Sequence, residues 1–152
     1  MKAGAGGNWR RFDEKFDETI VKQTDLSCVS AVGEMLLRSR GIIVSQEEIR
    51  DIIGVPSYFE ALAYCLNRFD ISDDGKIWQG FPTDAKSLVK LLKKQSVGVI
   101  LVEPMFLAHA VLVERIKNDN IFRIKDSFDQ TSYSMTDEDF WNCWGGIVIA
   151  RR

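Results

Sequence analysis

The hydrophobic pattern of the chain changes near residue 97, and this change constrains the fold more than any other feature of the sequence. Before that point, apolar residues recur at the three- and four-residue spacing of amphipathic helices. After it come short runs rich in valine and isoleucine, which are typical of strands. We expect these strands at 97–103, 108–116, 121–125, 132–135 and 146–150. The order predicts an α+β fold with an N-terminal helical half followed by an antiparallel sheet half.

Helix boundaries follow from local signals. Ser45 followed by Glu48 forms a capping box, and Thr136 followed by Asp139 repeats the pattern between the last two strands. Trp9, with Phe12 and Phe16 after it, has helical spacing and predicts a short N-terminal helix. Further helices are expected at 28–40, 57–69 and 83–94.

The chain has 152 residues, which fits one domain with a core of its own. Residues 1–8 are small and glycine-rich, and they predict a flexible linker. We therefore divide the chain into a linker at 1–8 and a single domain at 9–152.

Composition excludes several classes of protein. The net charge of −2 gives no bulk attraction to nucleic acid or to an anionic membrane. Three dispersed cysteines and one histidine predict neither a disulfide framework nor a zinc site, so we expect no metal and no cofactor. Such cysteines are typical of a reducing compartment. No apolar run reaches membrane-spanning length, and the N-terminus lacks the apolar core of a signal peptide.

Cys28 opens an apolar helix after a polar turn, and Asp25 and Ser27 are the candidate N-caps. A helix start presents backbone N–H groups and a positive dipole end, which favour the thiolate, the nucleophilic form of cysteine. Gln23 lies five positions earlier, where its amide and the backbone N–H of the cysteine could together form an oxyanion hole. The alternative is that Cys28 only packs the core, as lone cysteines on helices usually do.

His109 begins a strand, and Asp126 ends the next strand. If the two strands pair about a turn at 118–120, Asp126 comes out near His109. Cys28, His109 and Asp126 then supply a thiol, an imidazole and a group that orients the imidazole. Taken singly, the histidine could be a hydrogen-bonded core residue, and the aspartate could serve a turn.

This order of residues resembles the papain-like cysteine peptidases, in the branch that includes bacteriocin leader-processing peptidases. The resemblance extends from about residue 19 to residue 150. It is carried by Gln23 with Cys28, by residues 31–37 of the helix, by the strand 109–113, and by the segments 124–126, 135–140 and 144–148.

By this resemblance Cys28 is the nucleophile, His109 is the general base and acid, Asp126 orients His109, and Gln23 donates to the oxyanion. The chain also departs from the leader peptidases. Val29 follows the cysteine where they usually have glycine, and Ser127 follows Asp126 where they usually have proline. Their glutamine often lies one residue further from the cysteine, and they are commonly fused to a transporter.

A glycine-led domain without a membrane segment is also similar to the papain-like toxin modules of bacterial polymorphic toxins. That resemblance implies a secreted effector domain that works as a monomer in the cytosol of a rival bacterium and cleaves a protein there. It further implies a cognate immunity protein as a partner, with neither nucleic acid nor membrane as a target. Two alternatives stay open: a glutamine deamidase that uses the same thioester chemistry, and an inactive papain-like binding module.

Overall fold

The computed structural model describes residues 7–103, 108–116 and 121–152. Within these ranges the chain forms strands β1 (Phe12–Phe16), β2 (Trp78–Pro82), β3 (Val97–Leu101), β4 (His109–Val113), β5 (Ile121–Asp126), β6 (Thr131–Thr136) and β7 (Trp144–Arg151). It also forms helices α1 (Cys28–Arg38), α2 (Gln46–Ile53), α3 (Phe59–Phe69), α4 (Ala85–Leu92) and α5 (Asp137–Cys143).

The strands join into one antiparallel sheet in the order β1-β6-β5-β4-β3-β7-β2. Successive side chains of a strand point to opposite faces, so the sheet has two cores. Ala110 and Leu112 pack with α1, α2 and α3 on one face. Val111 and Val113 pack with α4 and α5 on the other. The expected α+β architecture is confirmed.

Helix α1 comes very close to the sheet because Gly98 on β3 has no side chain. A Cβ atom at Gly98 would lie 2.5 Å from a methyl group of Ile149 and 2.9 Å from a methyl group of Val32 on α1. Real Cβ atoms do not tolerate the shorter distance without movement of a neighbour. The glycine therefore lets α1 lie against the centre of the sheet, with Cys28 at its first turn.

Most of the predicted helices and strands are confirmed, and the capping signals are confirmed as well. Ser45 and Glu48 form the complete capping box at the start of α2. Thr136 accepts a hydrogen bond from the backbone N–H of Asp139 at the start of α5. Within the described ranges, no helix has the length and apolar character needed to cross a bilayer. The division into a linker at 1–8 and a domain at 9–152 stays a prediction.

The predicted N-terminal helix is wrong. Phe12 and Phe16 lie at the two ends of strand β1, which pairs with β6 at the edge of the sheet. Residues four apart share a face in a strand as well as in a helix, so their spacing could not distinguish the two. The edge strand β1 thus comes from a segment that was expected to be helical.

Candidate active site

Cys28 is the first residue of α1, and its side chain is fully buried. Of the two candidate caps, Ser27 occupies the N-cap position, yet its hydroxyl makes no capping bond to the helix. That hydroxyl donates instead to Gln46 Oε1 at 2.8 Å. No side chain at the N-cap therefore neutralises the positive end of the helix beside the sulfur. On the sheet side, the backbone N–H of Ala110 donates to Cys28 Sγ at 3.4 Å.

His109 and Asp126 are brought together as the strand pairing predicted. Strands β4 and β5 are antiparallel, with Leu112 opposite Lys125, while the expected turn at 118–120 lies outside the described residues. His109 Nε2 and Asp126 Oδ1 are 2.7 Å apart, and both side chains are fully buried. The structure therefore forms the histidine–carboxylate pair that the sequence suggested.

This pairing decides which ring nitrogen of His109 can exchange a proton with the thiol. Asp126 occupies Nε2, and Nδ1 has no hydrogen-bond acceptor or donor with full geometry among the described residues. Besides Asp126, Cys28 also raises the pKa of His109, so its sulfur lies next to the imidazole. Nδ1 is therefore the nitrogen that can serve the sulfur.

Burial alone would lower the pKa of His109. The hydrogen bond to Asp126 and the adjacent sulfur of Cys28 outweigh burial and raise the pKa of His109 to about 9. Burial would likewise raise the pKa of Asp126, but the hydrogen bond and charge of His109 hold it below its ordinary value. At neutral pH the pair is therefore an imidazolium and a carboxylate.

Three further groups hold the Asp126 carboxylate. The backbone N–H of Phe128 donates to Oδ1 at 2.9 Å, and the Tyr133 hydroxyl donates to Oδ2 at 2.7 Å. The guanidinium of Arg11 lies 3.9 Å from Oδ2. Burial, followed by the charge of Asp126, raises the pKa of Tyr133 well above its usual value, so its hydroxyl stays protonated and can donate.

Gln23 is tied to the residue that follows Asp126. Its side-chain Oε1 accepts a hydrogen bond from the Ser127 hydroxyl at 3.0 Å, and its backbone N–H donates to the Ser127 carbonyl at 2.9 Å. The amide of Gln46 also donates to the carbonyl of Lys22, beside Gln23. The loop between Gln23 and Cys28 is thus fixed from both sides.

Sequence reasoning missed several residues that support the site. Ser127 and Phe128 could have been found from their adjacency to Asp126. Gln46 gave no signal, because it followed a capping serine and resembled an ordinary first residue of a helix. Trp9 was expected only in a short N-terminal helix. Its side chain is buried in the core, and its contacts with the site were not foreseen.

The remaining cysteines do not share this setting. Burial raises the pKa of the Cys65 and Cys143 thiols, and all three cysteines are free. Among the residues that the structure describes, no three His, Cys, Asp or Glu side chains are grouped so as to hold a metal ion.

Comparison with known proteins gives one similar curated sequence and several similar folds. The chain is 35% identical over 152 residues to "Cysteine protease effector 1" of Escherichia coli O1:K1:H7; the match covers 98% of this chain and 30% of that protein's length. The peptidase domain of Streptococcus ComA superposes with a TM-score of 0.69 at 20% identity, over 86% of this chain and 95% of that one. The Streptococcus mutans ComA peptidase domain superposes with a TM-score of 0.62 at 17% identity, over 88% of this chain and 98% of that one. No protein-family model matches the chain.

The fold is that of a papain-like peptidase domain, with a cysteine at the start of the central helix and a histidine on the facing strand. The chain thus has the fold of these peptidase domains and is similar in sequence to part of a protein named as a cysteine protease effector.

The charge state of His109 can be tested without a substrate, because it is the only histidine of the chain. Its ring Cε1–H resonance is expected to titrate with a midpoint near 9, so the charged form is present at neutral pH and is lost as the pH rises through about 9. In Asp126→Asn the midpoint should fall, because the negative charge that stabilises the imidazolium is gone.

The control is Asp129→Asn, which removes an exposed carboxylate from the same turn and should leave the midpoint unchanged. A midpoint that did not move in Asp126→Asn would show that this carboxylate does not hold the proton on His109.

Proposed function

We propose that this domain is an active thiol peptidase in which Cys28 is the nucleophile, His109 the general acid and base, and Asp126 the group that orients His109. The observation that carries the proposal is the fully buried His109–Asp126 pair beside Cys28. A carboxylate that holds one nitrogen of a histidine while a thiol lies beside the ring is the arrangement in which a general base serves a nucleophile and is oriented by a third group.

The proposed chemistry uses Cys28 as the nucleophile and the protonated His109 as the acid. The thiolate of Cys28 adds to the carbonyl carbon of the substrate amide, and the carbonyl electrons move to oxygen. The imidazolium of His109 gives its Nδ1 proton to the leaving nitrogen as the C–N bond breaks, and a thioester remains. Water then adds to the thioester while Nδ1 takes its proton, and cleavage of the C–S bond releases the acid and restores the thiolate–imidazolium pair.

Substrate binding must move part of the protein surface. Cys28 and His109 have no exposed surface, so a substrate carbonyl reaches the sulfur only when the groups that cover it are displaced. Exclusion of water from the closed site strengthens the ion pair between His109 and Asp126, because charges interact more strongly at low dielectric.

The oxyanion is assigned to the backbone N–H of Cys28 and the side-chain amide of Gln23. The Ser127 hydroxyl donates to the oxygen of that amide, which fixes the orientation of the amide group. A donor of this kind acts mainly in the transition state, where the negative charge on oxygen is greatest.

Gln23→Ala should therefore lower kcat by about 10²–10³-fold and change KM little. The measurement is hydrolysis of p-nitrophenyl acetate, which needs no peptide recognition. Gln79→Ala, on the edge strand β2, is the matched control and should keep the activity of the parent. A normal kcat in Gln23→Ala would assign Gln23 a purely structural role.

We extend the proposal to biology: the domain is an effector toxin that cleaves a protein in the cytosol of a target bacterium. The similarity to a protein named as a cysteine protease effector supports the effector role, and the three free cysteines suit a reducing cytosol. The chain spans only 30% of that relative, so its substrate and its delivery are part of the proposal. A cognate immunity protein is proposed as the partner, and the domain is proposed to act as a monomer.

Expression in the bacterial cytosol tests the effector proposal. The parent domain should arrest growth, while Cys28→Ala, His109→Ala and the double variant should be equally harmless, because the two residues act as one unit. Thermal melts confirm that each variant is folded. Growth arrest by folded Cys28→Ala would show that toxicity comes from binding, and a harmless parent would favour a processing peptidase.

Incubation with a bacterial lysate identifies the reaction. Mass spectrometry should find shortened proteins that are absent with Cys28→Ala. Intact proteins with glutamine converted to glutamate would instead identify a deamidase.

A further inference from the structure

We infer that the segment Gly7–Arg11, with Trp9 at its centre, is a positioning element for the His109–Asp126 pair. The importance of this positioning for catalysis rests on the proposed function, whereas the contacts themselves do not depend on it. Trp9 is 124 residues away in sequence from its hydrogen-bond partner Tyr133, and its side chain is almost fully buried. This segment lies before residue 19, where the resemblance to papain-like peptidases begins.

Trp9 contacts both members of the pair, one directly and one through a hydrogen bond. Its ring stacks on the imidazole of His109, with ring centroids 5.9 Å apart and planes inclined by 25°. Its Nε1–H donates to the Tyr133 hydroxyl at 2.9 Å, and that hydroxyl donates to Asp126 Oδ2 at 2.7 Å. The chain of bonds fixes the rotation of the carboxylate while the stacked ring fixes the plane of the imidazole.

Arg11, at the C-terminal end of this segment and just before β1, reinforces the same arrangement. Its guanidinium carbon lies 4.6 Å from the centre of the Tyr133 ring and 5.5 Å from the centre of the Trp9 ring. Its charge is also 3.9 Å from Asp126 Oδ2. A cation over two aromatic rings and beside a carboxylate stabilises all three groups in one geometry.

The backbone before Trp9 is shaped to hold the indole in place. Gly7 lies against the indole, so a Cβ atom there would fall 1.7 Å from a ring carbon of Trp9. The Gly7 carbonyl accepts from Arg11 at 2.9 Å, and the Asn8 N–H donates to Glu103 at 2.6 Å. The segment is therefore fastened at both sides of the tryptophan, and residue 7 must be small.

The test measures the His109–Asp126 bond itself. The Nε2 proton of the only histidine gives a single far-downfield NMR resonance, and its exchange with water reports how often the bond opens. Trp9→Phe keeps a ring on His109 but loses the N–H donor, and Tyr133→Phe loses the donor to Asp126. Each should speed exchange about tenfold, the change in an opening equilibrium that one net hydrogen bond supplies. Gly7→Ala should have a comparable effect, because it displaces the indole.

Trp78→Phe is the matched control. Trp78 is also a buried tryptophan whose Nε1–H binds a carboxylate, that of Asp70 at 2.8 Å, but it lies on β2 at the other edge of the sheet. This variant should lose a similar amount of stability in a thermal melt and leave the exchange of the His109 proton unchanged.

Unchanged exchange in folded Trp9→Phe, Tyr133→Phe and Gly7→Ala would overturn the inference. Equal acceleration in Trp78→Phe would also overturn it, because the effect would then follow stability alone. If the variants behave as expected but the parent hydrolyses neither ester nor protein, the positioning role stands and the proposed peptidase activity fails.

Discussion

The hydrogen bond between His109 and Asp126 is the interaction on which the rest of the structure depends. Both side chains are fully buried. Removal of one partner from a buried ion pair destabilises a protein by about 3–5 kcal/mol, because the other charge stays buried without compensation. The fold meets this constraint by giving the carboxylate four partners, from β4, from the turn after β5, from β6 and from the segment before β1. Three strands and the N-terminal segment must therefore keep their register for the pair to exist.

Helix α1 meets this pair from the opposite face of the sheet. His109 and Asp126 lie on the side of the sheet that packs α4 and α5, as the alternation from Val111 and Phe122 requires, while Cys28 belongs to the core under α1 to α3. The two sides meet at the end of β4, where the N–H of Ala110 donates to the sulfur. The site thus joins the two cores, and the close approach of α1 over Gly98 is what makes the meeting possible.

The sequence predicted the parts of this site that depend on local pattern. A cysteine at a helix start, a histidine at a strand start and an aspartate at a strand end could each be placed from spacing and composition, and the antiparallel pairing of β4 and β5 then joined the last two. The contacts of Trp9 could not be predicted, because its partner is 124 residues away and the flanking phenylalanines fit a helix as well as a strand. Gln46 was missed for the same reason, because the residue that donates to its side chain, Ser27, lies 19 positions earlier in the chain.

Ser127 shows how a departure from the family pattern has a physical consequence here. The leader peptidases usually have proline after the orienting residue, and proline offers neither a hydroxyl nor an N–H. In this chain the Ser127 hydroxyl holds the oxygen of Gln23, and its carbonyl holds the Gln23 backbone. Gln23 also stands one residue closer to Cys28 than is usual, which shortens the loop that must carry its amide to the sulfur. The residue beside Asp126 anchors the far end of that loop, so the carboxylate that we propose to orient His109 and the amide that we propose to stabilise the oxyanion are held by adjacent residues of the chain.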